Sequence, residues 1–324
     1  MDKQLTSALG IDVSKKTLDV TLLYGNERKR RKRVTNNREG INKLQEWLSR
    51  HSTGDVHVCM ESTSVYWEEV AETLHEAGYC VSVVNPLRIK GYAMSQLRRS
   101  KTDPLDGDVI ADFCLTQKPE AWIPPTPEQR KLRALVRHLE ALKKSRVQQS
   151  NRLGTCRDDE VRASLQTMLT TIETEIEAVK ARIAELIDQN PDLKEKVALL
   201  VSIKGIGEQT AIHILAEMYD LAEYENAKAA AADAGVTTSH YWSGTSVRRR
   251  PKISRMGKAS VRAALYYPAI TALQHNPIVK KMAQRLAAKG KCKGVIRVAA
   301  MRKLLHIAYG VLKNKKPFDP AYCA

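Results

Sequence analysis

Residues 8–24 read Ala8-Leu9-Gly10-Ile11-Asp12-Val13-Ser14-Lys15-Lys16-Thr17-Leu18-Asp19-Val20-Thr21-Leu22-Leu23-Tyr24. Two apolar, β-rich runs flank a polar break at Ser14-Lys15-Lys16, which predicts two strands joined by a short turn. Asp12 sits inside the first run, where a carboxylate is costly unless something offsets its charge. Downstream, Glu27 to Thr35 reads as a basic strand or hairpin, Ile41 to Leu48 as a helix and Val56 to Met60 as a buried strand. Val65, Val70, Leu74 and Ala77 have helical spacing, and Gly78 stops that helix. Tyr79 to Val84 is another β-rich run, closed by Asn85-Pro86. A helix from Asp103 to about Leu115 comes next, then a linker marked by Pro119, Pro124, Pro125 and Pro127. Strands first and then alternating helix and strand predict an α/β domain over 1–127, a mixed sheet flanked by helices.

From Glu128 the pattern changes to long polar helices. Leu165, Met168, Ile172, Ile176, Val179, Ile183 and Leu186 form a near-heptad seam. It suits an antiparallel coiled-coil hairpin over 128–190, a subunit contact or, equally, two helices of an ordinary bundle. The remainder, 191–324, reads as a basic, mainly helical domain. Lys and Arg number 53 against 36 Asp and Glu, a formal charge of +17 and a pI near 9.6. Such an excess predicts a polyanionic partner, with nucleic acid favoured over a membrane surface. No stretch has the apolar length of a spanning helix, and the N-terminus lacks a signal-peptide layout. The six cysteines show no Cys-x-x-Cys spacing and read as reduced, mostly packed thiols. The expectation is a cytoplasmic, bacterial-style protein.

Four acids stand out: Asp12, Glu61 at the end of the 56–60 run, and Asp103 and Asp106 at a helix start. Each has a plainer reading. Glu61 could be a surface acid ending a strand, and Thr102-Asp103-Pro104 is a good N-cap followed by proline at the first helical position. As an ordered set, with acids on two strands and a pair on a late helix, they favour a Mg²⁺ site, with Mn²⁺ as the substitute. This is the pattern of a nuclease or transposase of the ribonuclease-H type.

The basic tail carries two further features. Leu199 to Ala211 resembles a helix–hairpin–helix element whose Gly205-Ile206-Gly207 turn would leave backbone N–H groups for a phosphate. His240-Tyr241-Trp242-Ser243-Gly244-Thr245-Ser246-Val247-Arg248-Arg249-Arg250 sets hydroxyls beside glycine and three arginines. By residue chemistry alone this is a phosphate-binding loop, and the sharper reading makes one serine a nucleophile on a phosphodiester. The run Arg28-Lys29-Arg30-Arg31-Lys32-Arg33 extends the electrostatic footprint near the N-terminus, against the plainer reading of a solvated charge run.

These pieces together resemble the DEDD-type transposases of the insertion-sequence 110 family, over nearly the whole chain. The matching segments are Gly10 to Lys15, Glu61-Ser62-Thr63, Asn85-Pro86, Lys101 to Asp106, Gly205-Ile206-Gly207, Ser243 to Ser246, and Met301-Arg302-Lys303-Leu304 through Tyr309-Gly310. The resemblance implies a RuvC-like N-terminal domain, a coiled-coil middle and a C-terminal transposase domain. It implies Mg²⁺ on Asp12, Glu61, Asp103 and Asp106, and Ser243 as nucleophile, with Thr245 and Ser246 close enough to compete for that role. It also implies a structured bridge RNA that pairs with donor and target DNA, and a tetramer whose active sites are shared between subunits. The rivals are a metal-dependent hydrolytic nuclease or Holliday-junction resolvase, and a non-catalytic nucleic-acid-binding protein.

Overall fold

The computed structural model describes residues 7–24, 28–52, 54–62, 64–96, 103–218, 221–239, 242–243, 247–248, 251–254 and 256–322. Residues 103–105, 242–243, 247–248 and 322 are described through their backbone alone. The chain divides into two compact units, Met1–Pro124 and Pro125–Ala324.

The first unit is a five-stranded sheet in the order β3-β2-β1-β4-β5. Its strands are β1 Ser7–Val13, β2 Thr17–Tyr24, β3 Lys29–Thr35, β4 Val56–Glu61 and β5 Cys80–Val84. The first three pair antiparallel through short turns, and β1, β4 and β5 run parallel. Parallel neighbours need helical crossovers, which α1 Arg38–His51 and α2 Glu68–Glu76 supply. Both faces of β1 are covered, which is why its run is nearly continuously apolar. Leu9, Ile11 and Val13 join Ile41, Leu44, Leu48, Val70 and Leu74 in the core beneath α1 and α2. On the opposite face Ala8 and Cys59 pack with Ile110, Phe113 and Cys114 of α4, Asp103–Gln117.

Three local expectations change. The helix after Glu61 starts at Glu68, and Val65 lies before it, exposed. Asn85-Pro86 does more than end β5. The Asn85 side chain accepts the Leu87 N–H and Pro86 occupies the first turn, so the pair opens an unforeseen helix, α3 Pro86–Ser95. Among the thiols, Cys59 and Cys114 are buried as expected, whereas Cys80 and Cys292 are exposed.

The second unit opens with α5 Pro127–Thr155, started by a capping box between Thr126 and Gln129. It folds back on α6 Asp159–Gln189 as a helical hairpin. Along the α6 seam, Leu165, Ile176, Val179, Ile183 and Leu186 are buried. Met168 is not: it is 44% exposed, and its neighbour Leu169 is buried instead. The lower half of the seam belongs to the same core as α7 Pro191–Val201, α8 Glu208–Met218 and the later helices α9 Ala227–Asp233 to α13 Lys293–Asn314. Ile176 and Ile183 are therefore covered by this chain's own helices, which leaves them unavailable to a second subunit. Arg137 ties α5 to α8 with a two-pronged contact to buried Glu217, at 2.8 and 3.0 Å.

The segment expected to be a loop is a small β ribbon. The pair β6 Thr238–Ser239 and β9 Lys252–Ile253 brackets a second pair, β7 Trp242–Ser243 and β8 Val247–Arg248. Among the described residues, no helix is long and apolar enough to cross a membrane.

Candidate functional site

Strand alternation decides which side chains meet above the first sheet. Gly10 faces α4 so closely that a Cβ there would lie 2.3 Å from both Ala111 N and Gly107 O. Asp12, two residues further, points to that same face. The parallel register pairs Ile11 with Met60, so Asp12 and Glu61 are the next residues on adjacent strands, also on one face. The antiparallel register sets Asp12 opposite Asp19, and Asp19 opposite Arg33. A row Glu61, Asp12, Asp19, Arg33 thus crosses the sheet at the C-terminal edge of β1 and β4.

The direction of α4 is set by its contacts. Cys114 donates to the His57 carbonyl at 3.5 Å, beside Ala8 at the start of β1. One to two turns earlier, Ala111 and Gly107 cover Gly10. The helix therefore runs antiparallel to β1, and its first turn, Asp103 to Asp106, heads toward the Asp12 edge. Asp12, Glu61 and Asp106 are all half-buried. The side chain of Asp103 lies outside the described residues, and among those described no three His, Cys, Asp or Glu side chains stand close enough to hold a metal ion. The donor set nevertheless fits a hard divalent cation. It is all carboxylate, on one sheet face and one helix end, where Mg²⁺ or Mn²⁺ prefers oxygen and a softer metal would want nitrogen or sulfur.

The basic run does not act as one block. Being a strand, β3 sends alternate residues to opposite faces. Arg31 donates to both carboxylate oxygens of Asp108 on α4, at 2.9 and 2.5 Å, and Lys29 reaches the same group at 2.7 Å. Arg33 pairs with Asp19 at 2.7 Å. On the other face Lys32 lies over the Trp47 ring, 5.9 Å from its centroid, and bonds the Lys43 carbonyl. Arg28 and Arg30 are exposed. At least Lys29, Arg31 and Arg33 are thus matched to acids before any phosphate arrives.

Asp108 is the residue that sequence reasoning passed over. Its only signal was the two-residue period of Lys29, Arg31 and Arg33, a row of cations that needs a counter-charge. Burial by itself would raise its pKa, but hydrogen bonds from Arg31, Lys29 and Thr21 hold it at about 2. A folded-state value below the unfolded one contributes stability that is complete above about pH 4 and lost as pH falls toward 2. The gap from the ordinary 3.8 corresponds to about 2 kcal/mol. Acid titration of unfolding is expected to show wild type losing this much between pH 4 and 2. Asp108→Asn should lack that loss and start from a lower plateau at pH 7; equal acid slopes in the two proteins would refute the clamp.

In the second unit, Ser243 sits on β7 opposite Val247, and Arg248 on β8 opposite Trp242. The side chains of Ser243 and Arg248 and the whole of Thr245, Ser246, Arg249 and Arg250 lie outside the described residues. Over 199–211 two helices are joined by a turn, with Gly207 immediately before α8. Gly205 has φ +111° and packs against Ala272, where a Cβ would lie 2.8 Å from the alanine methyl. Packing and backbone conformation therefore explain Gly205 without a phosphate.

Comparison with known proteins places this arrangement. A family model described as a DEDD transposase of the IS110 type matches residues 9–158. A second, the transposase IS116/IS110/IS902 family, matches residues 197–284. The chain is 32% identical to the pilin gene-inverting protein of Moraxella bovis over 321 residues, 96% of this chain and 97% of the relative. The corresponding protein of Moraxella lacunata gives the same identity and coverage. An uncharacterized 43.6 kDa protein of insertion element IS110 from Streptomyces coelicolor is 25% identical over 161 residues, 50% of this chain and 38% of the relative. With one matched region on the acid-bearing sheet, the other among the helices of the second unit, and the two Moraxella relatives aligned over nearly their whole length, the chain belongs to the IS110 family of transposases and is a DNA transposase or recombinase.

Proposed function

We propose that the protein cuts and rejoins DNA through two cooperating groups, a RuvC-like acidic site built from Asp12, Glu61, Asp103 and Asp106 and a serine nucleophile, Ser243. The observation that carries the first half is the shared face of Asp12 and Glu61 at adjacent strand ends, with the start of α4 heading toward them. Four carboxylates of one sign converge at acceptable cost only with a cation, and Mg²⁺ bound there would polarise a scissile phosphate. The acids would orient that phosphate, and Arg31 and Arg33 flank them while already committed to Asp108 and Asp19.

Ser243 Oγ would attack phosphorus, forming an Oγ–P bond while a sugar hydroxyl leaves and takes up the proton. A hydroxyl from a second strand would then attack the phosphoserine, restoring the diester and freeing the serine. Bond energy is kept throughout, so strands rejoin without an energy-rich cofactor. Two features support this over hydrolysis. The Moraxella relatives are named for gene inversion, which requires rejoining as well as cutting. The ribbon that bears Ser243 is rich in arginine, suited to developing negative charge. We further infer that a bridge RNA selects donor and target sites by base pairing and that the working assembly is a tetramer. The family resemblance supports both, and the +17 charge supports the RNA.

The deciding experiment is a denaturing gel of the protein with element-encoded RNA, Mg²⁺ and end-labelled DNA. Wild type is expected to give a protein-linked DNA band that disappears in Ser243→Ala and on adding EDTA. Cleaved DNA without an adduct, equal in both proteins, would instead establish hydrolysis.

A further inference from the structure

Tyr267, in the first turn of α11 Tyr266–His275, is 76% exposed and borders two hollows within the second unit, of about 640 and 490 Å³. A single exposed tyrosine is ordinary. This one is set apart by its bracing and its surroundings. Tyr266 is pinned by Arg297, whose guanidinium lies 4.9 Å from the ring centroid and bonds the phenol oxygen. The Tyr267 ring then stands nearly perpendicular to Tyr266, at 88° with centroids 5.3 Å apart. The two rings together form an aromatic wall, with most of the Tyr267 surface bare.

The larger hollow combines apolar walls with a cationic rim, and the smaller has apolar walls and a single cation. The larger has Leu139, Ile183 and Ala263 in its walls and Lys143, Lys144 and Lys180 around it. Glu140 and Glu208 also line it, and the first of these is engaged by Lys143 at 3.0 Å. Lys180 is engaged by Glu177, and Lys144 is exposed. The smaller hollow is bordered by Ile253, Tyr266 and Met301, with half-buried Arg262, which also donates to the Gly235 carbonyl at 3.4 Å, as its one cation. A ligand that is flat and apolar in its middle and anionic at both ends fits such a wall, and a nucleotide within a strand has that form. Ile253 belongs to β9, the strand that closes the ribbon bearing Ser243. Ile253 thus links the smaller hollow to the strand pair that brackets Ser243 in the chain.

We infer that Tyr267 is a stacking platform for an unpaired base of the DNA strand undergoing exchange, with Lys144 and Arg262 receiving the neighbouring phosphates. The choice of DNA rests on the strand-exchange reading of Ser243; the platform rests on the tyrosines, the hollows and their cations. Strand exchange requires bases to leave their original partners, and a ring can hold one in the interval at little sequence preference.

The test uses the full chain and a short single-stranded DNA carrying one 2-aminopurine, whose fluorescence is quenched by stacking. Tyr267→Ala is expected to weaken single-strand binding by roughly 5- to 150-fold, the span of one base–aromatic stack, and to relieve the quenching. Tyr267→Phe should retain both, and duplex affinity should change little in either variant. Because the side chain is mostly exposed, the fold is expected to survive, which circular dichroism would check. Unchanged single-strand affinity in Tyr267→Ala, an equal loss on duplex, or a loss confined to the same sequence as RNA would each overturn the inference. Ser243→Ala separates the two readings. If no adduct forms in wild type but the Tyr267 effects appear, the nucleophile falls and the platform stands. If the adduct forms and Tyr267→Ala binds normally, only the platform falls.

Discussion

Asp12→Asn is expected to lower the rate of DNA strand cleavage by about 10²- to 10³-fold, the cost of removing one preorganised charged group from a transition state. Asp106→Asn should do the same. DNA and RNA affinity should persist, because either change makes a chain of charge +17 slightly more positive. Folding should persist as well. Asp12 is half-buried and lies directly opposite Asp19, a like-charge pairing across strands that costs stability. Neutralising it is therefore expected to shift unfolding free energy by less than about 1 kcal/mol. That separation of rate from stability is the signature of a group kept for chemistry. Cleavage within tenfold of wild type in both variants, measured in excess Mg²⁺, would remove the acids from the mechanism.

Gly10→Ala is expected to destabilise the first unit by about 3 kcal/mol, at the upper end of what overpacking costs. The added methyl would meet Ala111 N and Gly107 O at 2.3 Å, both backbone atoms with no rotamer to change. Relief requires α4 to retreat by about 1 Å toward ordinary van der Waals distance. That retreat would carry Asp106 away from Asp12, so cleavage should fall together with stability. Gly107→Ala is the matched control. Its Cβ would meet the Thr21 hydroxyl at 3.1 Å, a much gentler approach although that hydroxyl is held on Asp108, and alanine favours the helix by up to about 1 kcal/mol. Urea titration followed by circular dichroism should show Gly10→Ala unfolding first and Gly107→Ala close to wild type. Coincident curves for wild type and Gly10→Ala would mean that α4 is not seated on β1.

Much of the fold was legible because it rests on local periodicity. Strand and helix spacing over 8–84 gave the elements of the sheet in order, and an acid placed inside an apolar strand marked Asp12 before any contact was known. The heptad spacing of α6 likewise gave its buried stripe, apart from the choice between Met168 and Leu169. Either side chain suits a helix of that amphipathicity, and packing in the folded chain buries Leu169. Asn85-Pro86 shows the same limit. Asparagine before proline ends a strand or caps a helix equally well, and the path the chain takes beyond Pro86 selects between them.

The charge and the order of elements could be read from the chain alone, because each depends on residue identity and on neighbours within a few positions. Which of the charges were already matched was a matter of long-range contact. Lys29 and Arg31 meet Asp108 across 79 and 77 residues, and Arg33 meets Asp19 across a strand pair, so the face of β3 that carries these three cations is neutralised. The same kind of contact requires Gly10 to lack a side chain and stands Tyr267 between two hollows. Such facts depend on which distant segments approach, and that approach is fixed by burial of whole faces summed over the chain, which no short window of residues contains.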